Sequence, residues 1–162
     1  MIVISDTSPI TNLLQIGRLD LLHQVYDKVV IPPAVQHELY VLSSQAESLS
    51  ALDWLEVAVV QDQNYVRKLT VVDGLDLGEA EAITLAIQED ADWLIVDESL
   101  GRSIADRHKI PIVGVLGVLI QAKRLGCVHE IRSDILRLMA IGFRISPALV
   151  NQILRAVGEP PL

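Results

Sequence analysis

Cysteine is almost absent from this sequence, because Cys127 is the only one among 162 residues. An intramolecular disulfide and a zinc site of the C-x-x-C type are therefore excluded. The four histidines show no H-x-x-x-H spacing, so no histidine metal site is expected either. The G-x-x-x-x-G-K-[ST] pattern of a phosphate-binding loop is also missing, which excludes nucleotide hydrolysis through a P-loop.

Long apolar runs are missing as well, since the hydrophobic stretches have the length of strands and are too short to cross a membrane. Met1 leads directly into the first predicted strand, with no basic segment and no apolar core of a secretory signal. We therefore expect a cytoplasmic protein that does not associate with membranes. The length and the 51% hydrophobic content predict a single domain, 1–162, in which the C-terminal helices (about 130–157) are an appended part.

Basic residues are scarce in the first half of the chain. Residues 1–81 carry 4 Lys and Arg against 12 Asp and Glu, whereas residues 82–162 carry 9 against 9, so the whole net charge of −8 lies in the first half. Such a charge, taken alone, argues against a nucleic-acid partner. The second half supplies candidate phosphate contacts, although most of its basic residues are expected on solvated helix faces.

Short β-branched runs alternate with segments of helical periodicity along the chain. The predicted strands are 2–5, 28–31, 55–60, 91–96 and 110–114, and the predicted helices are 9–16, 18–26, 33–42, 77–90, 100–108, 115–125, 130–141 and 146–157. Residues 61–74 are polar and receive no assignment. This order predicts an α/β fold with a mostly parallel sheet of about five strands and helices on both faces.

Acidic residues occur where predicted strands end or helices begin: Asp6, Glu38, Glu81 and the pair Asp97/Glu98. Any one of them could be a helix N-cap or a solvated side chain. Because ligands of open α/β sheets bind at the carboxyl ends of the strands, we expect the four positions to form one cluster. A crowd of carboxylates is costly unless a cation neutralises it, and Mg²⁺ and Mn²⁺ take oxygen ligands. The pattern predicts a metal-dependent hydrolase.

These residues resemble the PIN-domain nuclease family. The likeness lies in Asp6-Thr7-Ser8 after the opening strand, in the helical Glu38, in Gly78-Glu79-Ala80-Glu81-Ala82, and in Asp97-Glu98. Segments 77–86, 97–105, 114–126 and 142–146 are similar to a predicted nucleic-acid-binding subgroup of the family. The resemblance implies a three-layer α/β/α sandwich, a Mg²⁺ or Mn²⁺ site and cleavage of RNA. It also implies a homodimer and, as in VapC-like toxins, an antitoxin partner.

The resemblance assigns the four family acids to Asp6, Glu38, Glu81 and Asp97. It implies that Asp6, Glu81 and Asp97 hold the metal and that Glu38 ligates it or orients water. Glu98 is the alternative to Asp97, which we prefer because it is nearest the strand end.

Three further residues complete the predicted site. Ser8 matches a small polar position that supports the first acid, and Glu79 is expected to face solvent or to play a secondary role. Arg102 is expected to contact substrate phosphate, with a surface ion pair to Asp106 as the alternative.

Three functions agree with this reading. The first is a metal-dependent ribonuclease, acting alone or as a toxin. The second is a nucleic-acid-binding module with a weakened catalytic centre, which the use of Glu in place of the family's Asp would favour. The third is a protein-interaction module whose C-terminal helices bind a second copy or an antitoxin.

Overall fold

The computed structural model describes residues 1–42 and 46–162, and in this part of the chain five strands alternate with ten helices. The strands are β1 (Val3–Ser5), β2 (Val29–Ile31), β3 (Leu55–Val57), β4 (Trp93–Ile95) and β5 (Ile112–Val113). The helices are α1 (Thr7–Gln15), α2 (Asp20–Tyr26), α3 (Pro33–Leu42), α4 (Ala46–Ser50), α5 (Gln63–Val71), α6 (Leu77–Gln88), α7 (Ser99–Arg107), α8 (Val115–Arg124), α9 (Arg132–Ala140) and α10 (Pro147–Ala156). No helix of the described residues is both long and apolar enough to span a membrane.

All five strands are parallel and lie in the order β3-β2-β1-β4-β5. The central strand β1 pairs with β2 on one side, where Ile4 lies opposite Val30, and with β4 on the other, where it lies opposite Leu94. The pairing continues one residue past β1, because the N–H of Asp6 donates to the carbonyl of Ile95 at 3.0 Å. The predicted parallel α/β sheet is confirmed.

Two hydrophobic cores cover the two faces of this sheet. Val3 points into a core built with α1, α2, α3, α8, α9 and α10, whereas its neighbour Ile4 points into a second core built with α5, α6 and α7. The alternation follows from the period of two along a strand. Both faces are apolar because helices cover both, and the predicted three-layer sandwich is therefore confirmed.

The strand order creates a crevice at the carboxyl edge between β1 and β4. From β1 the chain first builds β2 and β3 on one side, and it then crosses to β4 and β5 on the other. Ligands of open α/β sheets bind where the strand order reverses in this way. Asp6 follows β1 directly, and Asp97 and Glu98 follow β4.

Three parts of the chain differ from the prediction, and one of them is the short helix α4, which was not predicted. The unassigned segment 61–74 contains α5, which is N-capped by the side chain of Asp62 and buries only Val66 and Leu69, so its helical period is hidden among polar residues. Strand β3 ends at Val57, three residues before the predicted end. Its partner β2 ends at the same level, because the chain enters α3 at Pro33. Strand β3 therefore has no further residues of β2 to pair with.

The last helices are held to the body of the protein by two buried carboxylates. Glu159 accepts hydrogen bonds from the backbone N–H groups of Ile131 and Arg132 and from Lys123 Nζ at 2.7 Å, which ties the segment after α10 to α8 and to the start of α9. Asp134 on α9 is fully buried and pairs with Arg18 Nε at 2.9 Å. These contacts anchor α9 and the segment that follows α10.

We predict that Glu159→Ala lowers the free energy of unfolding by about 2 kcal/mol, because it leaves two backbone donors and one ammonium without their acceptor. Thermal and urea unfolding measure the loss, and Glu159→Gln, which keeps one acceptor oxygen, should lose less.

Burial raises the pKa of Glu159, but the hydrogen bonds from Lys123, Ile131 and Arg132 outweigh it and lower the pKa overall. The difference between wild type and Glu159→Ala should therefore decrease as the pH falls below 4.5 and through the lowered pKa of Glu159. An equal loss in the exposed control Asp106→Ala would contradict this assignment.

Candidate active site

Five acidic residues line one pocket of about 190 Å³ at the carboxyl edge of the sheet. They are Asp6 after β1, Glu38 on α3, Asp76 before α6, Glu79 on α6 and Glu98 before α7. We refer to this group as the acid pocket. Four separate parts of the chain contribute to it, so only the fold brings the group together.

Asp6 lies at the base of the acid pocket with 3% of its surface exposed. It occupies the N-cap position of α1, yet its side chain makes no capping hydrogen bond to that helix. Burial raises the pKa of Asp6 to about 7; the N–H of Thr7 lowers it, and the charges of Asp76, Glu38 and Glu98 raise it. The carboxylate of Asp6 is therefore not used to cap α1.

Glu79 is the second buried acid of the pocket, with 6% of its surface exposed. Burial raises its pKa to about 8, and the charge of Asp6 adds to that effect, followed by Asp76, Glu98 and Glu38. The expectation that Glu79 faces solvent is wrong. Residues 78–86 of α6 are all buried, so this part of the helix has no solvent face. The sequence does indicate that Glu79 is buried, since small and apolar residues surround it on every side of the helix.

Glu38 reaches the acid pocket from α3 and is held by two donors. Thr7 Oγ1 donates to its carboxylate at 2.5 Å, and the backbone N–H of Gly78, in the first turn of α6, donates at 3.2 Å. A Cβ at residue 78 would lie 2.6 Å from Glu38 Oε1, so any larger residue would displace the Glu38 carboxylate from this position. The positive end of the α6 dipole favours the carboxylate there.

Asp76 and Glu98 form the exposed rim of the acid pocket. Asp76 is the N-cap of α6 and accepts from the N–H of Glu79 at 2.9 Å, so it sets the start of the helix that carries Glu79. Asp76 was not predicted as a site residue, although Asp76-Leu77-Gly78-Glu79 has the spacing of a helix cap. Glu98 precedes α7 and makes no side-chain capping bond.

Glu81 does not line the acid pocket. Its carboxylate is 6% exposed and accepts from the N–H of Ala34, in the first turn of α3, at 3.3 Å. Burial raises its pKa, the N–H of Ala34 lowers it, and the charge of Glu38 raises it. Glu79 and Glu81 are two residues apart on α6, hence about 200° apart around the helix axis. Only one of them can face Asp6.

Asp97 points away from the acid pocket, toward the start of α8. Its Oδ1 accepts from the N–H of Val115 at 3.1 Å. Burial raises its pKa, while the Val115 N–H and the charge of Arg102 lower it and the charge of Glu98 raises it. Of the pair that ends β4, Glu98 is the residue that the structure places beside Asp6 and Glu38.

Ser8 lies on the wall between the acid pocket and a neighbouring groove, and Arg102 lines that groove. The Ser8 hydroxyl is buried without a hydrogen-bond partner in the described residues, so one polar atom next to Asp6 is left unsatisfied. Arg102 Nη1 donates to the carbonyl of Val96 at 3.2 Å. The alternative ion pair with Asp106 does not form.

The groove has a volume of about 1000 Å³ and shares Ser8 and Glu98 with the acid pocket. It extends past Asp97 and Arg102 and the end of β5 to the loop between α9 and α10, where residues 141–145 form its far wall. The groove and the acid pocket together form one continuous depression at the crevice between β1 and β4.

The donor set of the acid pocket fits a hard divalent cation. Among residues 1–42 and 46–162, no three His, Cys, Asp or Glu side chains already converge on one metal position. Mg²⁺ nevertheless keeps several waters and needs only one or two direct carboxylates. Asp6 and Glu79 are buried together with raised pKa values, three further carboxylates surround them, and the Ser8 hydroxyl lacks a partner.

Comparison with known proteins agrees with this geometry. A family model described as a PIN domain matches residues 2–159, which is nearly the whole chain, and a search among curated proteins finds no match. PIN domains are in general metal-dependent nucleases, so the family implies a nucleic-acid substrate. The parallel sheet, the acids at its carboxyl edge and the extent of the match lead to one conclusion: the chain belongs to the PIN-domain family.

Proposed function

We propose that this protein is an endoribonuclease that depends on Mg²⁺ or Mn²⁺ and cleaves RNA at the acid pocket. The observation that carries the proposal is the burial of Asp6 and Glu79 together, with pKa values of about 7 and 8, among three further carboxylates. Such a group cannot be fully ionised at neutral pH without a compensating positive charge. A bound cation would stabilise the ionised group. If the acid pocket bound no cation, the folded protein would be more stable with apolar residues at these positions.

The proposed ligands differ in two positions from those that the resemblance implied. Asp6 and Glu79 would hold the ion, with Glu98 and Asp76 at the rim, so that Glu79 and Glu98 replace Glu81 and Asp97. A bound ion supplies a water of lowered pKa and stabilises charge that develops on the phosphate. The backbone bond from Asp6 to Ile95 and the cap that Asp76 provides for α6 keep the two ligands in place.

Glu38 would orient the attacking water. Its two donors, Thr7 Oγ1 and the N–H of Gly78, hold the carboxylate at the pocket wall. A carboxylate fixed in this way can accept a hydrogen bond from a water and direct its lone pair towards a phosphate. Thr7, adjacent to Asp6, links this position to the metal-binding part of the site.

The finer expectations from the resemblance remain predictions. They are RNA as the nucleic acid, an antitoxin partner, a homodimer and a cytoplasmic location. The volume of the groove beside the acid pocket, about 1000 Å³, supports a nucleic-acid strand as the substrate.

We predict that Asp6→Asn lowers the rate of metal-dependent RNA cleavage at least about a hundredfold, because it removes the most buried carboxylate ligand. The measurement is cleavage of a pool of structured and single-stranded RNAs with Mn²⁺ or Mg²⁺, with EDTA as the metal-free control. Asn is nearly isosteric with the protonated acid, so thermal unfolding should show a folded variant. Cleavage at the wild-type rate by Asp6→Asn would contradict the proposed site.

The adjacent acids of α6 provide a matched pair of variants. We predict that Glu79→Gln loses cleavage to the same extent as Asp6→Asn, whereas Glu81→Gln stays within about threefold of wild type, because only Glu79 lines the acid pocket. Both variants keep the size of the side chain and one acceptor oxygen, which can still accept from the N–H of Ala34 in Glu81→Gln. The opposite result, with Glu81→Gln inactive and Glu79→Gln active, would restore Glu81 as the ligand.

Metal binding should also change how stability depends on pH. The pKa values of Asp6 and Glu79 are raised on folding from 3.8 to about 7 and from 4.5 to about 8, so the folded protein binds more protons than the unfolded chain between these limits. Without metal, the stability contributed by this pair should therefore fall as the pH rises from about 4 to about 8.

Thermal unfolding in EDTA and in Mn²⁺ measures this effect. The rise in melting temperature on adding Mn²⁺ should be larger at about pH 8 than at about pH 5, since the ion binds the ionised acids. The double variant Asp6→Asn, Glu79→Gln should show neither the fall nor the rise. A melting temperature that responds to Mn²⁺ equally in wild type and in the double variant would place the ion elsewhere.

A further inference from the structure

The main chain that leaves β4, residues 96–98, is held by β5 on one side and by α7 on the other. The N–H of Val96 donates to the carbonyl of Val113 at 3.0 Å, so the pairing of β4 with β5 continues one residue past the strand. Arg102 on α7 holds the same segment twice. Its Nη1 donates to the carbonyl of Val96 at 3.2 Å, and its backbone N–H donates to the carbonyl of Glu98 at 2.9 Å. The backbone on both sides of residue 97 is therefore fixed.

The side chain of Asp97 ties this segment to a third element, α8. Its carboxylate accepts from the N–H of Val115, the first residue of α8, at 3.1 Å for Oδ1 and 3.4 Å for Oδ2. This N–H has no acceptor within its own helix, and the N-cap residue Gly114 has no side chain that could supply one. The Asp97 carboxylate is therefore already in use at the start of α8.

Gly114 provides the space in which Asp97 and Arg102 meet. A Cβ at residue 114 would collide with Asp97 Oδ1 and would lie 3.0 Å from Arg102 Nη1. The backbone of Gly114, with φ −100° and ψ −179°, is extended and open to every residue type. Space, and not backbone conformation, thus accounts for the glycine. We refer to Asp97, Arg102 and Gly114 as the β4 brace.

The position of the β4 brace bears on the direction of the next side chain, Glu98. The backbone of Glu98 is extended, with φ −64° and ψ 132°, and successive side chains of an extended segment point in opposite directions. Because Asp97 is held toward α8, Glu98 is turned to the other side, where it lines the acid pocket with Asp6 and Glu79. The contacts of one acid therefore decide where its neighbour points.

We propose that Asp97 and Arg102 are positioning residues that act through Glu98: they hold its carboxylate at the rim of the acid pocket and thereby set the affinity for the divalent ion, without touching the ion. The inference rests on the proposed function, in which Glu98 is a rim carboxylate of the metal site. It replaces the two roles that the resemblance implied, metal binding by Asp97 and phosphate contact by Arg102. Residues that hold metal ligands in place commonly change metal affinity by about tenfold to a hundredfold.

The test measures the Kd for Mn²⁺ by electron paramagnetic resonance of the free ion, without RNA, so that metal binding is separated from cleavage. Asp97→Ala removes the contact with α8, whereas Asp97→Asn is nearly isosteric and keeps one acceptor oxygen. Arg102→Met keeps an apolar stem and removes the donor to the end of β4. The matched control is Arg107→Met, in the last turn of the same helix. Each variant is also made together with Glu98→Gln, and thermal unfolding in EDTA shows which variants are folded.

Asp97→Ala, Arg102→Met and Glu98→Gln should each raise the Kd for Mn²⁺ about tenfold. Their effects should not add. In the Glu98→Gln protein, Asp97→Ala or Arg102→Met should raise the Kd by no more than about a further twofold, because the carboxylate through which they act is already gone. Asp97→Asn should stay within about threefold of wild type, since an amide oxygen can still accept from the start of α8. Arg107→Met should bind Mn²⁺ as wild type does.

Two results would overturn the inference. One is an increase in Kd of about tenfold in Asp97→Asn, because a metal ligand needs the negative charge whereas a positioning residue needs only the acceptor. The other is full additivity with Glu98→Gln, which would mean that Asp97 and Arg102 act independently of Glu98. Arg102→Met and Asp97→Asn still decide the question if Asp97→Ala does not fold.

The variants of the acid pocket separate this failure from that of the proposed function. If Asp6→Asn and Glu98→Gln weaken Mn²⁺ binding while Asp97→Ala and Arg102→Met leave it unchanged, the β4 brace does not set the affinity and the inference alone fails. If wild type and Asp6→Asn bind Mn²⁺ equally, the ion does not bind in the acid pocket. The proposed metal site then fails, and the inference fails with it.

Discussion

The repulsion among carboxylates at one edge of the sheet is the constraint on which this structure depends. Asp6 and Glu79 are buried within a protein that already carries a net charge of −8; burial raises the pKa of both, and the charge of Asp6 adds to the rise at Glu79. Burial of this kind is costly, and the surrounding structure has to hold the groups in place. It does so with backbone bonds: the parallel pairing of β1 and β4 fixes Asp6, and the N-cap of α6 fixes Glu79. The other acids of the edge are used as hydrogen-bond acceptors. Glu81 accepts a hydrogen bond from the first turn of α3, and Asp97 accepts one from the first turn of α8.

The fold was predictable from the sequence, because hydrophobic period and turn residues set it locally. The strands and most helices appear where β-branched runs and caps predict them, and the parallel order follows from the alternation. Helix α5 was not predictable, since only Val66 and Leu69 contribute to an apolar period. Its position depends on contacts with the rest of the fold. The short helix α4 was missed for a similar reason, because five residues are too few for a period to show.

The site was predictable as a location and less so as a set of residues. Asp6 and Glu38 were expected in the cluster, and the structure brings them together there. The choice between neighbours could not be made from the sequence. Whether Glu79 or Glu81 faces Asp6 depends on the rotation of α6 about its axis, which its contacts with α3, α5 and the sheet decide. Whether Asp97 or Glu98 faces it depends on how β4 leaves the sheet. Asp76 was missed because it lies just outside the predicted helix 77–90, although its spacing to Glu79 marks a helix cap.

Gly78 shows what the close approach of Glu38 costs. Glycine within a helix is less favourable than alanine by up to about 1 kcal/mol, and in α6 it stands between Asp76 and the buried segment that carries Glu79. Intrinsic helix propensity alone would favour alanine at this position. A methyl group there would displace the Glu38 carboxylate and leave Glu38 without its backbone donor. The first turn of α6 is thus less stable than it would be with alanine, and the glycine exchanges part of that helix stability for a fixed position of one carboxylate in the acid pocket.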